Sequence, residues 1–314
     1  MPGFRKHKIH MLSVAIVSAM ATAVSGCFTG VESTPKITYK DVRSNNAAVV
    51  SPEKELAARF VAQPFAQWSS GKRFYVTSPR ISLALTAAPG SDAVMPQAGD
   101  TIRYSGITES VGLTGDHLVE LRFGPAFGYR TNATAAELRR RGQMAVPFTV
   151  DLDLVDSVAS HLVGRTLWVR TPLWFTPDGE AYAGRKFVQV KVTEVLPANE
   201  VYPVKVLFSD DRGETHALFM SAGNPDRSAP RDFEALFSLS DIRASYPAIS
   251  DEMWRNIVNT RPAVGMTKPE AILAIGSPAS IDRGHTHSSA YERWNYTDGR
   301  YLVFEDGLLL RIGR

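Results

Sequence analysis

Two periodicities share this chain. In its middle, apolar residues recur at every second position: Val188, Val190 and Val192 alternate with Gln189, Lys191 and Thr193, and Val119, Leu121 and Phe123 alternate with Glu120 and Arg122. A period of two gives each strand one buried and one wet face, the pattern of antiparallel sheets. Elsewhere the period is helical. Leu56, Phe60 and Val61 follow Ser51-Pro52-Glu53, which supplies a capping serine, a proline in the first turn and an acid near the positive helix end. Pro64 ends or kinks that element before Phe65 and Trp68, an aromatic stripe read as core. Asp151 and Asp153 lead a helix to about Leu162, and Thr134 to Arg141 and Asp232 to Leu236 read as shorter ones.

The middle of the chain reads as one unit used twice. Gly71 to Pro79 aligns with Gly164 to Pro172, 93 residues later, and Gly99, Thr108-Glu109, Val119, Leu121, Phe123 and Gly128 align with Gly184, Thr193-Glu194, Val204, Val206, Phe208 and Gly213, 85 residues later. The helices fit the same scheme, with Val61 and Phe65 matching Leu154 and Val158. Each unit is therefore expected to be a helix followed by about four antiparallel strands, and the pair resembles bacterial SH3-like modules. Asp210-Asp211-Arg212-Gly213 reads as a hairpin turn, with Gly213 supplying a positive φ.

A different pattern opens the chain. Arg5, Lys6 and Lys8 precede an uncharged apolar run from Met11 to Val24. That run is shorter than the roughly 20 residues that span hydrocarbon as a helix, so it reads as a signal peptide. It ends in Val24-Ser25-Gly26-Cys27, and Cys27 is the one cysteine of 314 residues, unable to form an intramolecular disulfide. These four residues resemble a bacterial lipobox. The resemblance implies lipid attachment at Cys27, cleavage before it, and acylation of the new amine with a fatty chain such as palmitate. At about 0.8 kcal/mol per buried methylene, two or more chains anchor stably. Phe28 stands where an aspartate tends to hold Gram-negative lipoproteins in the inner membrane; its absence implies the outer membrane, facing the periplasm. Residues 27–50 read as a polar tether, with Lys36 to Lys40 as an edge strand.

Charge changes the picture once the leader is set aside. The formal net charge is +3, but the leader holds three basic residues and no acid, so the remainder has 32 of each sign. A neutral body offers no general attraction to nucleic acid, and none is expected as a partner.

The carboxyl-terminal segment carries the second resemblance. Met253, Trp254, Ile257 and Val258 recur at helical spacing, and a second helix follows, with Thr267 and Glu270 as a capping box and Gly276 and Pro278 as its stop. Tyr291 to Tyr296, Tyr301 to Phe304 and Leu308 to Ile312 read as strands joined at Asp298-Gly299 and Asp306-Gly307. This order, with Gly265-Met266-Thr267-Lys268-Pro269-Glu270 and Arg293-Trp294-Asn295-Tyr296, resembles the BamE (SmpA/OmlA) family of outer-membrane lipoproteins over about 249–312. The resemblance implies docking rather than catalysis. Gly265, Thr267, Gly276 and Pro278 are structural in this reading, and Trp294 and Tyr296 read as core before contact surface.

The expected fold class is α+β: signal peptide (1–26), tether (27–50), two helix-plus-antiparallel-β units (51–145 and 146–224), a connector (225–248), and a small two-helix, antiparallel-meander BamE-like domain (249–314). No nucleophile elbow, phosphate loop, dinucleotide fingerprint or zinc-protease motif appears, so no catalytic, cofactor or metal residue is assigned. His285 and His287 would share a strand face, but no acid or cysteine stands at ligand spacing. His117, His161 and His216 are scattered. Asp151, Asp153 and Asp156 read as helix-start acids, Arg139-Arg140-Arg141 as a solvated helix end, and Glu109 with Glu194 as surface pairs. The functional expectation is a lipid-anchored, non-catalytic module with an envelope protein as partner. A peptidoglycan or glycan binder working through the repeated β units is the alternative, and an envelope hydrolase with a site assembled from distant residues is the third reading.

Overall fold

The computed structural model describes residues 50–112, 115, 117–223, 230–285 and 290–314. Cys27, the tether and His287 lie outside the described residues. In chain order the elements are α1 (Pro52–Ala57), β1 (Arg73–Val76), β2 (Leu85–Ala87), β3 (Thr101–Val111), β4 (His117–Phe123), β5 (Phe127–Arg130), α2 (Ala135–Arg141) and β6 (Thr149–Asp151). Then come α3 (Leu152–Leu162), β7 (Thr166–Val169), β8 (Leu173–Phe175), β9 (Ala181–Ala183), β10 (Gln189–Pro197), β11 (Val204–Ser209), β12 (Thr215–Met220), α4 (Phe233–Leu236) and β13 (Phe237–Ser238). Last are α5 (Asp251–Val258), α6 (Lys268–Ile275), β14 (Ser280–His285), β15 (Ala290–Asn295), β16 (Tyr301–Glu305) and β17 (Leu308–Gly313).

This composition overturns the expected α+β class. The described chain is mostly β, with strands in three antiparallel sheets of six, seven and four, and its longest helix has only 11 residues. The picture of two helix-led units and a small BamE-like end does not hold. The physical reason is plain in the first helix. Ser51 caps α1 through the Lys54 N–H, but the element lasts six residues, and Val61, expected on its apolar stripe, is 57% exposed. Leu56 and Phe60 are buried against the second sheet, where Phe60 meets Phe233 edge-on at 5.6 Å. The carboxylate of Glu53, itself buried, accepts from the Ser238 hydroxyl and the Leu239 N–H. Burial pushes this carboxyl up, yet those hydrogen bonds outweigh it and hold it below its ordinary value. The helix at the front of the first expected unit thus closes the core of the second.

What repeats is strand order. The first sheet runs β2-β5-β4-β3-β1-β6 and the second β9-β8-β12-β11-β10-β7-β13. Five strands of each correspond in sequence, and in each a short strand lying after a helix, β6 or β13, pairs antiparallel with the first. The match at 93 residues describes β1 and β7, and that at 85 describes β4 and β11, where Val119, Leu121, Phe123 and Val204, Val206, Phe208 are all buried. The long strands β3 and β10 need a third spacing. Phe123 lies opposite Tyr104 and Phe208 opposite Val192, each beside a bulge, so these strands correspond at 88 residues. Glu109 therefore corresponds to Pro197 rather than Glu194, and Gly99 to Phe187 rather than Gly184. Gly128 pairs with Leu85's neighbour Thr86, as Ala217 pairs with Phe175, so its counterpart is Ala217 rather than Gly213.

The third sheet, β14-β15-β16-β17, is a meander backed by α5 and α6, with Trp294, Leu302, Phe304 and Leu309 buried against Ile257, Met266, Ala271 and Ala274. Thr267 and Glu270 close the capping box on α6, and Gly276 ends it at φ 85°. Asp306 and Gly307 both have positive φ, as a two-residue turn requires. Asp298-Gly299 instead sits in a longer loop, closed by the Tyr296 N–H to the Arg300 carbonyl.

Candidate functional site

The residues flagged by sequence separate into those used by the fold and those left free. Lys72 on the approach to β1 has a side chain only 1% exposed, and its ammonium donates to Asp151 at 2.8 Å and Asp153 at 2.9 Å. Arg73 bonds Asp156, and Asp151 also caps α3 through the Asp153 N–H. The Asp-x-Asp-x-x-Asp run is thus consumed in joining α3 to the first sheet. Glu109 faces His117 at 3.5 Å at the exposed end of one sheet, and Glu194 lies exposed on another, so the two do not form a pair. Arg139, Arg140 and Arg141 are exposed at the carboxyl end of α2, where cations oppose the negative dipole end. Trp294 is buried and its indole N–H donates to Glu292 at 2.9 Å. Tyr296 is half-buried and donates its hydroxyl to the Gly276 carbonyl. His285 is exposed at the end of β14.

The free surface is the outer face of the third sheet, which sequence reading did not single out. Cross-strand partners share a face, and the register places Asp282, Arg293, Val303 and Arg311 in one row. Tyr291 stands between Gly284 and Glu305, and Tyr301 between Asn295 and Gly313. Both tyrosines lie over glycine: a Cβ at Gly284 or Gly313 would strike the ring of Tyr291 or Tyr301. Glycine is required there because the rings lie down on the sheet. The guanidinium of Arg293 sits over the Tyr301 ring at 4.1 Å, with that of Arg311 at 6.0 Å. Asp282 accepts from the Asn295 amide at 2.8 Å. Asp282, Tyr291, Arg293, Val303, Glu305 and Arg311 line an open hollow of about 540 Å³. The alternation of β15 and β16 carries the signal for this face: Tyr291, Arg293, Tyr301 and Val303 occupy the positions between core residues.

Opposite that face the core side is fixed by charge. Glu292 accepts from Trp294, and Lys268 lies at 3.1 Å and Arg283 at 3.2 Å from its oxygens. The indole hydrogen bond first, then the two cations, pull its carboxyl to about 2. Lys186 stands where α5 and α6 approach the second sheet: its N–H reaches the Val258 carbonyl, and its side chain lines a hollow with Pro172, Thr260, Gly276 and Arg300. Burial brings its amine down to about 8. Among the described residues no helix is long and apolar enough to cross a membrane.

Comparison of the chain with protein-family models, with curated proteins and with solved structures gives no match.

Proposed function

We propose that this chain is a lipid-anchored, non-catalytic binding protein of the bacterial envelope, and that its third sheet docks an extended segment of a partner protein. The observation that carries the reading is the Tyr291–Arg293–Tyr301–Arg311 face, an exposed platform of flat rings and guanidinium groups on a rigid sheet. Tyrosine and arginine are enriched where proteins meet, because they give large contact area and several donors for little conformational loss. Arg293 and Arg311, with Asp282 and Glu305 beside them, favour a segment that brings charges of both signs, and Val303 between the guanidinium groups favours one that also brings an apolar side chain. The flagged acids of α3 and the Glu292 cluster are tied into structural pairs, which supports binding over chemistry. The address rests on the sequence alone, through the lipobox ending at Cys27, and the outer membrane is its proposed location.

The test places a photo-crosslinking residue at Val303 in living cells, with Leu83 of the first unit, 80% exposed, as the control position. A protein adduct of one mass from Val303, absent from Leu83 and lost with Arg293→Glu, supports the reading. Adducts to glycan strands would favour the peptidoglycan reading, and the same adducts from both positions would remove the sheet face from consideration. Cys27→Ala tests the anchor separately, by loss of acyl mass and of outer-membrane partition.

A further inference from the structure

The hairpin between β11 and β12 holds a cluster that the docking face does not use. Asp210, Glu214 and His216 each bring one metal-competent atom to within 4.8 Å of the others. The turn builds this locally. The Asp210 N–H bonds the Glu214 carbonyl, so the two acids face each other across the hairpin, and His216 follows two residues on along the same strand. His216 is only 5% exposed. Its ring stacks on Tyr182 at 4.4 Å and packs against Trp174 at 5.0 Å and Phe208 at 6.2 Å.

Neither ring nitrogen of His216 has a hydrogen-bond partner. The nearest acid, Glu214, stands 3.5 Å from Nε2, outside the length of a well-formed hydrogen bond. Buried polar atoms without partners are rare in native proteins, and an ion is one of the few things that explains them. We propose that Asp210, Glu214 and His216 bind a divalent transition-metal ion of the Zn²⁺ class.

The donor set selects that class. An imidazole with two carboxylates suits zinc and its first-row neighbours, whereas calcium and magnesium take oxygen ligands alone. Asp210 is held for the purpose: Oδ1 accepts the N–H groups of Arg212 and Glu214, and Oδ2 accepts Arg185 at 3.0 Å. A carboxylate oxygen has two acceptor sites, so Oδ2 keeps one for the ion. Arg185 is shared between Asp210 and Asp211, and no bond ties it to Glu214, so one guanidinium serves a turn that carries three carboxylates. The guanidinium of Arg212, exposed on the same turn, bonds none of them. Tetrahedral donors about 2.0–2.2 Å from an ion stand about 3.3–3.6 Å apart; Glu214 and His216 already meet that at 3.5 Å, and exposed Glu214 is the side chain free to adjust toward Asp210. Water completes the coordination.

The test uses the full chain, freed of metal with a chelator and carrying His285→Ala to break the His285-x-His287 sequence pair. Zn²⁺ is titrated by calorimetry, with the thermal midpoint and the imidazole NMR signals of His216 as further readouts. One ion per chain is expected, with a rise in midpoint and a shift of the His216 signals. Glu214→Gln and His216→Phe should each weaken binding by at least about tenfold. Phenylalanine keeps a ring in the aromatic box, and Glu214 is exposed on the turn, so neither change removes packing that the fold needs. Unchanged affinity in either variant, or no zinc-dependent change in the parent chain, would overturn the site.

Discussion

Replacing Lys72 by methionine isolates one charge at the joint between the first sheet and α3. The lysine stem lies against Trp68 and Phe74, with the ammonium 5.5 Å from each ring centre, and methionine keeps most of that contact. What it removes is the bond to Asp151 and the bond to Asp153, whose side chains are 13% and 35% exposed. Stripping one partner from a buried pair destabilises by about 3–5 kcal/mol, because the remaining charge is left in low dielectric. Water reaches Asp153, and Asp151 keeps its helix-capping bond, so the loss falls below that range, at about 2–3 kcal/mol. For a body of this size that is a fall in thermal midpoint of about 5–10 °C. Urea unfolding followed by tryptophan fluorescence and circular dichroism measures it, and Lys72→Met combined with Asp151→Asn should recover at least about 1 kcal/mol through the coupling of the pair. A loss below about 0.5 kcal/mol, or strict additivity in the double variant, would refute the claim that this ion pair joins α3 to the sheet.

Three further outcomes follow from the same geometry. Lys186 has an amine lowered to about 8 against 10.5 in the unfolded chain, so its charged form opposes folding at neutral pH and that penalty fades as pH rises through about 8 toward 10.5; Lys186→Met should raise stability at pH 7 by about 1–2 kcal/mol, after allowance for solvent screening, and flatten the alkaline rise in urea midpoint. Glu292 is held near 2 against 4.5, so its contribution is full above about pH 4.5 and lost as pH falls toward 2; Glu292→Gln should remove that part of the acid slope in a thermal-midpoint profile, with an effect of about 1 kcal/mol at pH 7. Phe187→Ala should loosen α5 from the second sheet by about 2–3 kcal/mol, seen as faster protease cleavage near Asn259, because the ring stacks on Trp254 at 5.7 Å.

The local grammar of the chain was legible, and the long-range pairings were not. Thr267 with Glu270, Ser51 with Pro52, and the alternating runs 119–123 and 188–192 specify their own caps and faces, and each has that conformation. Periodicity identifies which side chains are buried without saying against what. Leu56 and Phe60 satisfy a helical stripe equally well in either core, and the choice is made by Glu53 reaching Ser238, 185 residues away. The short strands β6 and β13, of three and two residues, have no period to read at all. Loop lengths hide in the same way. The bulges beside Tyr104 and Val192 correspond, but Glu109 pairs with Val119 ten residues on and Pro197 with Val204 seven residues on, so the first hairpin is three residues longer and alignment at a single spacing pairs the wrong glutamates. The hairpin cluster escaped for a related reason: Asp210 and Glu214 face each other only once the turn has closed.

The difference between the two repeated sheets shows how the third came to be attached. Gly99 donates its N–H to the Val76 carbonyl at φ 98°, and Phe187 donates to the Val169 carbonyl at φ 60°. The backbone does the same thing at both places, turning through a left-handed residue into the long strand, but a side chain there costs about 1–2 kcal/mol that glycine avoids. The second sheet carries that strain because the ring at 187 does something glycine cannot. It stacks on Trp254 of α5, while the neighbouring Lys186 N–H bonds the Val258 carbonyl at the end of the same helix. Burial of an aromatic side chain returns about 1.5–3 kcal/mol, enough to outweigh the strain. A strained φ and a half-buried ring at one position are therefore a single device: the repeat departs from its own pattern where it must hold the helices that back the third sheet.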